Sequence, residues 1–115
     1  MTRTKLIAAL KSAAEGSREL DAEIGDRVEW EPLSPVLREE TARWLRRRDA
    51  PHYTTSLDAA LSLVPPQFGW SILCLPDEKP EATIFTLGTG RDHILEEAAT
   101  APLALCIAAL KARPE

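Results

Sequence analysis

Apolar residues recur along this chain with two different periods, and the changes from one to the other divide it into helical and extended stretches. From Thr4, the residues Leu6, Ile7, Leu10 and Ala14 keep the spacing of one helical face until Gly16, which can take the left-handed conformation that ends a helix. Ser17 restarts the chain as a cap, and Leu20, Ile24 and Val28 form one stripe of a second helix whose other positions carry Glu19, Asp21, Glu23, Asp26 and Arg27. Trp30-Glu31-Pro32 ends it. Ser34 before Pro35 is again a cap, with proline at the first helical position, and Val36, Leu37, Trp44 and Leu45 share a face. This predicts a third helix from about Pro35 to Arg47.

The stretch PHYTTSLDAALSLVPPQFGW, residues 51–70, organises the second half of the chain. Thr55 is the expected cap, Asp58 stands at the positive end of the helix dipole, and Leu57, Ala60, Leu61 and Val64 line one face. Pro65-Pro66 removes the N–H groups that further turns need. The period then changes to two. Phe68, Trp70, Ile72 and Cys74 fall on one side of an extended chain, with Gly69, Ser71, Leu73 and Leu75 on the other. Asp77-Glu78-Lys79-Pro80 suits a hairpin turn before a second strand over Glu81–Leu87. Gly88-Thr89-Gly90 breaks that strand, and Arg91–Glu97 is read as a short third one. Thr100 and Pro102 open a last helix in which Leu103, Leu105, Ile107 and Leu110 alternate with alanines. It is apolar nearly all round, so it belongs either centrally on the sheet or partly in a subunit interface.

Helices before a hairpin and one after it favour an α+β domain, a small antiparallel sheet of two to three strands covered by helices. A chain of 115 residues with 44% hydrophobic and only 5% aromatic residues fits one domain over 1–115 with an aliphatic core. Its charge sharpens the class. With 14 basic against 18 acidic residues, a net −4, general affinity for nucleic-acid backbones or anionic membranes is not expected. No apolar run reaches the roughly 18 residues of a membrane helix, and the opening MTRTKLIAALKSAAEG lacks a signal-peptide cleavage pattern, so a cytosolic protein is expected. Cys74 and Cys106 fall in apolar runs, where a thiol acts as a small hydrophobe.

Three separated segments resemble the phage ABA sandwich domain family, small phage and prophage proteins in which a sheet lies between helical layers. They are Ser17 to Ala22 with Ile24; Pro51 to Thr54 with Ser56 to Ala60 and Leu63-Val64-Pro65; and Ala99-Thr100 with Pro102 and Ala104 to Arg113. Together they cover about half the chain in the expected order. The segments Trp30–Ala50 and Glu81–Glu97 depart from it. The resemblance implies an α-β-α sandwich and a phage context. It brings no catalytic residues.

Candidate chemistry is sparse. His52, Tyr53 and Thr54 stand beside a helix start, where exposed N–H groups and the dipole favour an anion such as a phosphate, and Trp70 can complete a rim. The competing reading, that Thr55 caps while Tyr53 packs and His52 satisfies a carbonyl, is favoured because every helix needs a start. Arg43, Arg46, Arg47 and Arg48 beside Trp44 can contact single-stranded nucleic acid by charge and stacking, yet Glu39 and Glu40 precede them and a solvated helix end accounts for them better. Gly88-Thr89-Gly90 lacks the lysine and helix of a phosphate loop. His52, His93, Cys74 and Cys106 lack zinc-ligand spacing, and no metal or cofactor is expected. Neither Glu39-Glu40 nor Glu96-Glu97 can converge on one bond. The resulting expectation is a non-enzymatic phage or prophage accessory protein acting through protein–protein contacts, as a homo-oligomer or with a phage or host partner. Binding of a nucleotide-like anion and binding of single-stranded nucleic acid are the alternatives.

Overall fold

The computed structural model describes residues 2–28, 49–87 and 93–113. The helix expected over Pro35–Arg47, the arginines from Arg43 to Arg48 with Trp44, and the Gly88-Thr89-Gly90 break lie outside the described residues.

Two helices open the chain. Thr2 caps α1 (Arg3–Ser12) by accepting from the Lys5 N–H, and Ser17 caps α2 (Arg18–Arg27) by accepting from the Leu20 N–H. Gly16 between them does not end the helix, which stops at Ser12. Its small size serves a close approach instead, because a Cβ there would lie 2.2 Å from the Thr54 carbonyl oxygen. The next helix, α3 (Leu57–Leu61), is capped by Ser56 rather than Thr55: the Ser56 hydroxyl accepts from the Ala59 N–H at 3.3 Å, and Thr55 is exposed. The prolines at 65 and 66 then lead into the sheet.

The sheet has three antiparallel strands in chain order: β1 (Phe68–Leu73), β2 (Glu81–Thr86) and β3 (His93–Glu97). The expected hairpin joins the first two. Its turn holds Asp77 at φ 63°, with the Glu78 N–H on the Leu75 carbonyl, and Pro76 supplies the fixed φ that a turn of this kind needs at its second position. Register sorts the faces. Trp70 pairs with Ile84 and Ile84 with Ile94, while Ile72 pairs with Ala82 and Ala82 with Glu96, so these residues share the face on which Ala82 and Ile84 are buried.

That face packs on the last helix, α4 (Ala101–Ala112), which touches β2 and β3 on one side and α1 and α3 on others. Every residue from Leu103 to Leu110 is buried. An all-round apolar helix is thereby explained: neighbours surround it, and alanines let them come close. The architecture is α+β, a three-stranded open antiparallel sheet with helices packed against it, around one cluster of buried apolar side chains drawn from α1, α2, α3, β2 and α4. No described helix is long and apolar enough to cross a membrane.

Candidate functional site

The segment before α3 is anchored by a carboxylate. Asp21 on α2 is fully buried, and one of its oxygens accepts from both the Thr54 N–H at 2.8 Å and the Thr54 hydroxyl at 2.7 Å. Its other oxygen takes the Arg18 guanidinium at 2.9 Å, and the Ser17 N–H donates to the Thr54 hydroxyl at 3.0 Å. A buried charge so fully partnered is a structural clamp between α2 and the 51–56 turn. Tyr53 is buried beside it; its carbonyl accepts from the Cys106 thiol at 3.1 Å, and burial pushes the Tyr53 phenol above its usual range. Of the residues suggested for an anion rim, then, Tyr53 and Thr54 are inside, His52 is exposed, and Trp70 stands half exposed on the edge strand β1 beside Ile84. A hollow of about 250 Å³ adjoins the segment, but among described residues it is lined by Glu15, Gly16, Thr54, Thr55, Thr100 and Pro102, a set whose only charge repels anions.

A larger cleft, about 610 Å³, opens between α1, β3 and α4, lined by Arg3, Thr4, Ile7, Ala8, Lys11, Ile94 and Lys111. Arg3 reaches over the end of α4, donating to the carbonyls of Leu110 and Arg113 at 3.4 and 3.1 Å. Glu96, largely buried on β3, pairs closely with Lys111 and more distantly, at 3.8 Å, with Lys11.

The third feature is the sheet's other face. Gly69, Ser71 and Leu73 on β1 lie in register with Phe85, Thr83 and Glu81 on β2, and these with His93, Leu95 and Glu97 on β3. Leu73 is 49% exposed and Leu95 and Leu87 are each 55% exposed. Phe85 lies between them, its ring tilted against His93 at 6.3 Å. At one end of this face Glu81 and Glu97 stand opposite each other, and a hydrogen bond with Glu97 holds the Glu81 carboxyl above the usual range. No described element covers the face.

The sequence pattern contains this row of residues. Leu73 and Leu75 already alternate against Trp70 and Ile72, but a leucine on each side of a strand does not say which side helices cover. Asp21 carries less of a signal, since one more acid on a polar helix face looks solvated. Among the described residues no His, Cys, Asp or Glu cluster could hold a metal ion. Comparison with known proteins returns no matching family model, curated protein or solved structure.

Proposed function

We propose that this protein is a non-enzymatic interaction module that pairs with a second copy of itself through the outer face of its sheet. One observation carries this: Leu73, Leu87 and Leu95, each about half exposed, lie on the sheet face that carries Phe85, apolar surface of the kind that soluble chains cover with a partner. The apolar last helix, which by its sequence could have served an interface, is absorbed by the core, so the interface moves to the sheet.

The order of residues on the face favours a second copy as the occupant. A two-fold axis in the plane of the interface, perpendicular to the strands and along the row Ser71, Thr83, Leu95, stacks Leu95 on its counterpart. The same axis brings His93 opposite Glu97 of the second copy, so the acidic end of each face meets the imidazole of the other. The resemblance to phage ABA sandwich proteins extends the proposal to an accessory protein of a phage or prophage acting in the host cytosol.

Light scattering at micromolar concentration tests it. The expected result is a dimer that Leu95→Asp converts to monomer without changing the far-ultraviolet circular dichroism. A wild-type monomer, or a dimer that survives Leu95→Asp, overturns the proposal.

A further inference from the structure

The cleft between α1, β3 and α4 has a chemistry that the interaction module does not use. Three cations converge on it, Arg3 and Lys11 from α1 and Lys111 from α4, in a chain whose net charge is −4. Among the described residues Glu96 is the carboxylate paired with both lysines, so there two ammonium groups share one negative charge, and Lys11, at 3.8 Å and half exposed, holds the weaker share. Arg3 extends its guanidinium to the carbonyls at the end of α4. Between these heads the wall is apolar: Ile7 and Ala8 on α1 line it with Ile94 on β3, and Thr4 also borders the cleft. A concave site of this size, mostly apolar with a few convergent polar groups of one sign, matches the general build of small-molecule sites.

We infer that this cleft binds an amphipathic organic carboxylate, its head between Lys11 and Lys111 and its hydrocarbon body against Ile7, Ala8 and Ile94. The carboxylate supplies a second negative charge beside that of Glu96, and the body covers aliphatic wall. Neither half alone suffices. A small carboxylate leaves the wall wet, and a neutral alcohol of the same length leaves the two ammonium groups sharing the one Glu96 carboxylate.

Nuclear magnetic resonance titration of the intact chain tests this with three probes: octanoate, octanol and acetate. Octanoate is expected to give saturable shifts centred on the amides of Ile7, Ala8 and Ile94, while octanol and acetate each bind at least about tenfold more weakly, the loss expected when a charged hydrogen bond or the buried chain is removed. Lys11→Gln is expected to weaken octanoate by about tenfold and Lys11→Arg to restore it, since Lys11 is exposed enough that neither change threatens the fold. Octanol binding as tightly as octanoate, an unchanged affinity in Lys11→Gln, shifts centred on the sheet's outer face, or no saturation with octanoate at millimolar concentration would each overturn the inference.

Discussion

The two faces of this sheet are made of the same strands and differ in what meets them. On one, Ala82 and Ile84 lie flush against α4, small enough for the helix to approach and branched enough to fill the gap. On the other, Leu73, Phe85, Leu87 and Leu95 are comparably apolar, yet three of the four are about half exposed. Hydrophobicity alone therefore does not sort the faces. Position does: the buried side chains cluster in the middle strand opposite a helix, whereas the outer leucines sit on edge strands and strand ends, interleaved with Thr83, Ser71 and the paired Glu81 and Glu97.

Truncating one residue on each face gives the largest difference. Ile84→Ala should cost about 2–4 kcal/mol of unfolding free energy, because α4 cannot settle fully into the cavity left behind. Leu95→Ala should cost about 0.5 kcal/mol in a dilute sample, since its side chain has little packing to lose. Urea titration of both variants measures the gap. Equal costs would mean that the outer face is packed after all.

Glycines offer a second contrast. At Gly16 an added Cβ would meet the backbone of Thr54, which the Asp21 clamp holds in place, so Gly16→Ala should destabilise by about 1–3 kcal/mol. At Gly69 the obstacle is the far end of the Phe85 ring, 2.4 Å away, on a face that no described element covers, and Gly69→Ala should cost about 1 kcal/mol or less. Thermal unfolding of the two variants should rank them in that order; the reverse ranking would show Phe85 locked by a neighbour.

These same residues show how far the fold is legible in the sequence. Caps at Ser17 and Thr100, the proline stop after α3, and all three strands arise from local chemistry acting within a few residues, and sequence carries that directly. The cap of α3 is different, because Thr54, Thr55 and Ser56 offer three adjacent hydroxyls and the pattern alone points to Thr55. Ser56 takes the role once Thr54 is drawn to Asp21, 33 positions away. Long-range partners of this kind leave no local trace. The same is true of the candidate sites, since neither the convergence of Lys11, Glu96 and Lys111 nor the open face is visible before α1, β3 and α4 are assembled.

The two cysteines probe the contrast between open and covered positions more gently. Cys74, just past β1, is exposed despite its apolar neighbours in sequence, whereas Cys106 is buried in α4, where desolvation, and secondarily the Asp21 charge, pushes its thiol far above the usual range. A thiol reagent at neutral pH should label Cys74 at once and Cys106 slower on the order of a hundredfold or more, at a rate that follows unfolding. Mass spectrometry after timed labelling checks it, and comparable rates at the two sites would place solvent beside α4.

The smallest effect expected lies at the acidic end of the outer face. Glu81 is held above the usual carboxylate range first by its hydrogen bond with Glu97 and also by repulsion from that carboxylate, so the folded state takes up a proton more readily than the unfolded chain. Stability from this group is therefore present at low pH and is lost as pH rises through the raised range of Glu81. Glu81→Gln removes the repulsion while keeping the shape, and it should raise the melting temperature slightly at neutral pH, with the advantage fading below the ordinary carboxylate range. A melting temperature lowered at neutral pH would mean that Glu81 has a cationic partner. In the proposed dimer the imidazole of His93 of the second copy lies against this acidic end, so concentrated samples should gain less from Glu81→Gln than dilute ones.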